Sequence, residues 1–325
     1  MLFIAAASLA ALADSTTDFR WQAAGQIDPG THGVADLGVR RGAWSAQLLT
    51  DTLDLRFAPE QDRGRAWVAL RAELGAVALL IAPWADGAYA PEQGFSASYL
   101  GGETGLVRYG AHGLYAGVAG HAYRVSFSEL AVTQVEVPAP TPWLSLDAVA
   151  GLYRDKAHAW VRVGGQHDAL GDPLQPHIHA TATTTTLDRP LGGVAELRAG
   201  TARGQSILTR TRVGGLNPYV VPLAGAGWGE WWSETYAIAR LGPQVVQERS
   251  GHTFRHQVVV DGGVADDQTA GAASQSAFLW GLGSLNRWSH ARWFADLDLG
   301  WAVGVPREAD TFAGSLWFAI GQDWG

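Results

Sequence analysis

His177 and His179 stand two residues apart, a spacing that puts two imidazoles on one face of a strand. Two such rings can share a metal ion, and His167 and Asp168 lie a loop away. No further ligand at a fixed spacing completes the set. The pair therefore reads as polar residues of a wet face or an exposed loop, and no metal or other cofactor is expected. Ser289-His290, and Ser126 with His121, supply the residue types of a hydrolase, but no Gly-x-Ser-x-Gly elbow accompanies them. Enzymatic activity is not expected, a barrel-embedded lipase being the one form left open. Asp261, Asp266 and Asp267 cluster in a Gly-containing stretch. Oxygen ligands of this kind can hold Ca²⁺, yet the spacing is not that of an EF-hand, and a solvated loop is the simpler reading.

The charges that matter more alternate with apolar residues along extended segments. Residues 291–303 carry Ala291, Trp293, Ala295, Leu297, Leu299, Trp301 and Val303 on one face, and Arg292, Phe294, Asp296, Asp298 and Gly300 on the other. At ~3.4 Å per residue and a tilt of ~40°, Trp293 and Trp301 lie roughly 20 Å apart along a membrane normal. That approaches the ~25 Å apolar band, edged by aromatic girdles, of a transmembrane β-barrel. The same alternation puts Arg71, Glu73, Asp147, Arg162, Glu196, Arg198, Arg210, Arg212, Arg292, Asp296 and Asp298 on inward faces. There they form either an internal plug of salt bridges or a charged constriction that filters solutes. Arg198, Arg210 and Arg212 fall on candidate neighbouring strands and favour anions, which Asp296 and Asp298 oppose.

Composition agrees. Of 325 residues 47% are apolar and only 17% charged, below the ~25% usual in soluble domains. After the N-terminus no apolar run is long enough for a membrane helix. Fifteen Trp suit membrane–water interfaces, and 41 Gly suit tight turns and strand kinks. A net charge of −8 excludes a nucleic-acid partner, since nothing neutralises phosphates. The absence of Cys removes disulfides and thiol chemistry. Residues 1–13, an apolar stretch ending in Ala11-Leu12-Ala13, read as a signal peptide.

About seventeen alternating runs separated by Gly, Pro, Asp or Asn follow, with no helical period and no linker. The expected fold is all-β: a transmembrane antiparallel up-and-down β-barrel of 14–16 strands (range 12–16), occupying 14–325 as one domain. The longer polar connections are expected at Ala85–Gly94, Gln166–Pro176, Gly215–Gly229 and Asp261–Ser274. A propeller or sandwich is the soluble rival, but no 40–50-residue repeat is present.

Phe312, Gly314, Leu316, Phe318 and Ile320 alternate near the C-terminus with Trp317 opposite. The region resembles the last strand of bacterial outer-membrane β-barrel proteins, which implies recognition by the outer-membrane assembly machinery. Arg212-Val-Gly-Gly-Leu-Asn-Pro-Tyr219, a Gly-rich loop and Glu230–Leu241 make residues 205–325 similar to the late barrel of the outer-membrane assembly and two-partner-secretion translocase superfamily. In that superfamily a long loop folds back into the lumen. Its Val-Arg-Gly-aromatic signature is missing here, and the barrel is expected to begin without POTRA domains. The expected function is a passive pore for small solutes, porin-like transport, or a structural surface protein of a Gram-negative outer membrane, with lipid bilayer and lipopolysaccharide as partners. The alternatives are a translocase-like barrel lacking POTRA domains and a secreted soluble β-protein that binds a ligand.

Overall fold

The computed structural model describes residues 17–27, 31–41, 44–54, 62–74, 77–90, 95–129, 141–154, 157–168, 174–185, 190–202, 211–216, 220–227, 231–267, 275–304 and 314–323. The candidate signal segment 1–13 and Arg210 lie outside them. The strands are β1 (Thr17–Ile27), β2 (Thr31–Arg41), β3 (Trp44–Asp54), β4 (Asp62–Leu74), β5 (Val77–Ala90), β6 (Phe95–Tyr109), β7 (Leu114–Glu129), β8 (Thr141–Arg154) and β9 (Ala157–Asp168). They continue as β10 (Gln175–Thr185), β11 (Leu191–Ala202), β12 (Thr211–Val213), β13 (Trp231–Ser233), β14 (Thr235–Arg249), β15 (His252–Asp267), β16 (Gln275–His290), β17 (Trp293–Ala302) and β18 (Gly314–Gln322).

Sixteen of them form one closed antiparallel barrel, each paired with its sequence neighbour except that β11 pairs β14. The first and last strands close it, from Trp21 opposite Gln322 to Ile27 opposite Leu316. Closure leaves no strand edge unpaired, the condition for spanning hydrocarbon with strands. β12 and β13 form a separate two-stranded ribbon.

Alternation sorts the side chains. Leu146, Val163, Leu197, Val260, Phe278 and Leu297 are exposed on the outer wall. Asp147, Arg240, Gln244 and Asp261 are buried on the inner one. In β17, Trp293, Leu297, Leu299 and Trp301 are exposed outward and Phe294 is buried inward. A wall apolar outside and polar inside inverts a soluble protein and suits a lipid solvent.

The strand ends differ. At the end holding the N-terminus of β1, connections are short: residues 42–43, 75–76, 155–156, 250–251 and 291–292 among them. Ser250 (φ 51°) and Gly251 (φ 79°) turn the chain there with the two positive φ values a tight hairpin needs. At the opposite end lie the longer connections, including 130–140, 303–313 and the span between β11 and β14.

Two expectations are corrected. The polar connection Asp261–Ser274 is in its first half strand: β15 runs to Asp267, and Gly262 and Gly263 sit within the ladder opposite Ala239 and Ile238. Gly263 admits a close neighbour, since a Cβ there would overlap the Ala237 backbone. Asp261, Asp266 and Asp267 are therefore no solvated loop cluster. Gly215–Gly229 is also not a polar connection: its described residues are apolar and buried.

Candidate functional site inside the barrel

The described residues between β11 and β14 turn back into the lumen. Val213, Leu223, Ala224 and Ala226 have no exposed surface, and Leu216, Val220 and Val221 have little. Such a run cannot face water on a loop tip, and here it finds two apolar patches of inner wall. Val213, Val221, Leu223, Ala226 and Trp231 pack against Tyr236 and Ile238 of β14, Ala265 of β15 and Leu279 of β16. Leu216 and Ala224 pack with Ala24, Val34, Phe294, Trp317 and Ala319 of β1, β2, β17 and β18.

Polar groups fix the register of this plug. Asp261 takes two hydrogen bonds from Arg240, Nε at 2.7 Å and Nη2 at 2.8 Å, and one from the Ala224 backbone N–H at 2.7 Å. Gln26 of β1 accepts from Leu216 N at 2.9 Å, and Ser315 of β18 accepts from Gly225 N at 3.3 Å. Arg198 donates to the Val220 carbonyl at 3.0 Å. Gly225, at φ 80°, passes so close to the wall that a Cβ would overlap the backbone of Trp301 and Ala302. The plug is thus bonded at several points to walls brought together from distant parts of the chain.

The wall formed by β7 to β10 carries a polar cluster. Asp147 of β8 is buried and accepts from His177 Nε2 at 2.6 Å and from Arg162 Nε at 2.8 Å, with a further short contact to Arg162 Nη2. Arg162 Nη2 also reaches His121 Nε2 at 2.8 Å. His179 Nδ1 lies 3.3 Å from the Tyr236 hydroxyl. One carboxylate so links four adjacent strands.

The residues expected to line the lumen distribute as follows. Asp147 with Arg162, and Glu196 with Arg198 (2.5 Å), are paired on the inner wall. Asp296 faces Arg287 at 3.7 Å, and Asp298 accepts the Asn286 N–H at 2.7 Å, filling a gap in the β16–β17 ladder. Arg71 and Glu73 stand in β4 opposite Leu80 and Ala78 of β5. Arg210 is outside the described residues. Two placements differ from expectation. Arg212 belongs to the β12 ribbon of the plug, not to a barrel strand, because Gly214 and Gly215 (φ 126° and 96°) break the extended run after Val213. Arg292 lies in the β16–β17 turn, where it bonds Asp18 at 3.1 Å on the rim. Trp293 and Trp301 stand outside, and Trp21 meets Trp293 edge-on at 5.7 Å.

The hydrolase fragments do not assemble. Ser126 and His121 sit on opposite faces of β7, and Ser289 and His290, being adjacent, do so on β16. Sequence reasoning missed Arg240, Asp261, Gln26 and Ser315 as a set. The available signal was the unbroken small and apolar run 220–226, too long without a charge for an exposed loop.

No family model matches the chain, and no curated protein does. Among solved structures it resembles CdiB from Acinetobacter baumannii, with a TM-score of 0.70 and 14% identity over 95% of this chain and 60% of that one. CdiB from Escherichia coli gives 0.69, 11% identity, 96% of this chain and 63% of that one. The structure of BamA from Haemophilus ducreyi lacking POTRA domains 1–3 gives 0.68, 8% identity, 95% and 70%. The chain spans about 60% of the length of the CdiB structures it matches. The fold is that of a bacterial outer-membrane β-barrel. Within that class its fold is similar to the barrels of the CdiB and BamA structures.

Proposed function

We propose that this chain is a gated, translocase-like barrel in the outer membrane of a Gram-negative bacterium. Its lumen is held closed at rest by the inward-folded segment between β11 and β14. The observation that carries the reading is the seating of Val213, Leu216, Val221, Leu223, Ala224 and Ala226 against two apolar patches of the inner wall. A permanently open passive pore has no use for an apolar plug with several polar anchors. A gate does, because the plug can leave as a unit and expose the polar wall of β7–β10. The likeness in fold to CdiB and BamA supports this. On this reading residues 1–13 are a signal peptide and 14–325 the barrel. Trp293 and Trp301 sit at the two membrane interfaces, lipopolysaccharide and phospholipid surround the wall, and β18 is the strand offered to the assembly machinery.

Planar-bilayer recording on the folded chain tests the proposal. The intact barrel is expected to be closed with rare large openings, and deletion of residues 211–227 to give steady conductance. Steady conductance from the intact chain returns the passive-pore reading. A deletion variant that folds and stays closed overturns the gate and leaves a structural surface barrel.

A further inference from the structure

Of the inner-wall histidines, His177 has an uncommitted nitrogen. Its Nε2–H is given to Asp147, so in the neutral ring the lone pair stands on Nδ1. That Nδ1 is buried and has no hydrogen-bond partner, on a side chain only 8% exposed. Buried polar atoms are otherwise satisfied almost everywhere in folded proteins, so an orphaned acceptor asks for a ligand. The neighbouring His121 differs, because Arg162 already occupies its Nε2.

His179 is two residues on and shares the inward face of β10. Its ring centroid is 5.8 Å from that of His177, with the planes inclined by 37°. Two imidazoles that bind one ion at ~2.0–2.1 Å have their ring centres on the order of 5–6 Å apart. His179 Nδ1 lies against the Tyr236 oxygen, and donation there leaves its Nε2 as the second lone pair. Gly200 across the ladder keeps the space open, since a Cβ would crowd His179 and Tyr236.

We propose that His177 and His179 form a two-histidine site on the inner wall for one borderline divalent transition-metal ion of the Zn²⁺ or Cu²⁺ class. Imidazole nitrogen selects these over Ca²⁺ and Mg²⁺, which prefer oxygen. Asp147 is the orienting carboxylate behind His177, and Tyr236 plays the same part behind His179. Among the described residues no group of three or more His, Cys, Asp and Glu gathers for a metal, so water from the lumen completes the coordination. An ion there adds two positive charges to the polar half of the lumen. The site does not depend on the gating proposal.

Cu²⁺ titration of the full folded chain, prepared without a histidine tag, tests this by electron paramagnetic resonance. One Cu²⁺ per barrel with two nitrogen ligands is expected. His177→Ala and His179→Ala each abolish the two-nitrogen spectrum, while Asp147→Asn weakens binding by ~10–100-fold. Excess Ca²⁺ or Mg²⁺ does not compete. His290→Ala is the control: His252 and His290 stack at 4.2 Å on the short-turn end, but their Nδ1 atoms are taken by Trp288 and by the Gly251 carbonyl. An unchanged spectrum in the His177→Ala/His179→Ala double variant overturns the site, as does loss of the signal in His290→Ala alone. Should the variants not fold, the wild-type spectrum decides: fewer than two nitrogens overturns it.

Discussion

Replacing Asp261 by Ala removes the most connected anchor of the plug. The carboxylate is fully buried and holds both Arg240, itself 9% exposed, and the Ala224 N–H. Its loss leaves a guanidinium and a backbone donor without their acceptor in the interior. Breaking a buried ion pair from one side costs ~3–5 kcal/mol. Part of this falls on the β14–β15 wall, which Arg240 and Asp261 join, and part on the docked plug. If ~3 kcal/mol falls on the plug, its undocked fraction rises by roughly two orders of magnitude, at ~1.4 kcal/mol per decade. Open-state occupancy in planar bilayers reads the plug, and the urea midpoint by Trp fluorescence reads the wall. A double variant, Asp261→Leu with Arg240→Met, removes both charges and recovers most of the loss. It still orphans the Ala224 N–H, worth ~1–3 kcal/mol, so its occupancy falls between wild type and the single variant. If Asp261→Ala matches wild type in both assays, or the double variant is worse than the single, the anchoring argument is wrong.

Gly225→Ala combines an unfavourable positive φ with overlap against the Trp301–Ala302 backbone, and is expected to cost at least ~1–2 kcal/mol and raise channel opening. Gln26→Ala leaves the Leu216 N–H buried without an acceptor, a loss of ~1–3 kcal/mol that speeds amide exchange at Leu216 over the rest of the plug. On the outer wall, Leu297→Arg is expected to destabilise the barrel by ~2–4 kcal/mol in lipid vesicles if it lies near the midplane. Trp293→Arg, nearer an interface, costs ~0–1 kcal/mol. Equal urea shifts for these two would contradict the membrane placement of β17.

The barrel was legible because its signal is redundant. Each strand of the barrel wall lies between lipid and lumen, so period-two alternation recurs from Phe19 to Ile320, and errors at single boundaries do not alter the sum. Errors came where an element faces only one environment. Arg212 was expected on a barrel strand, yet Thr211–Val213 pair with Trp231–Ser233 inside the lumen. Gly262 and Gly263 suggested a loop because glycine marks turns, whereas both lie in the ladder and Gly263 marks close approach of a neighbouring strand. Arg292 kept the parity of Phe294 in the sequence but stands at a turn, where parity no longer assigns a face.

The site was less legible because it joins residues far apart in sequence. Gln26 meets Leu216, Ala224 meets Asp261, and Gly225 meets Ser315 only after the barrel has closed. Charge patterning gave the inward carboxylates and guanidiniums but not their use. A row of charges along a lumen reads equally as filter or plug. The structure separates two regions by what each charge touches. On β1, β11, β15 and β18, Gln26, Arg198, Asp261 and Ser315 bond the backbone of an apolar segment and act as anchors. On β7–β10, Asp147, Arg162, His121 and His177 bond one another. On the gating proposal, the anchored segment moves before the β7–β10 wall can meet a passing solute. The rate of opening should therefore follow the anchors, and what passes should follow the β7–β10 wall. Exchanging Arg162 for Met would then alter selectivity more than opening frequency, the reverse of Asp261→Ala.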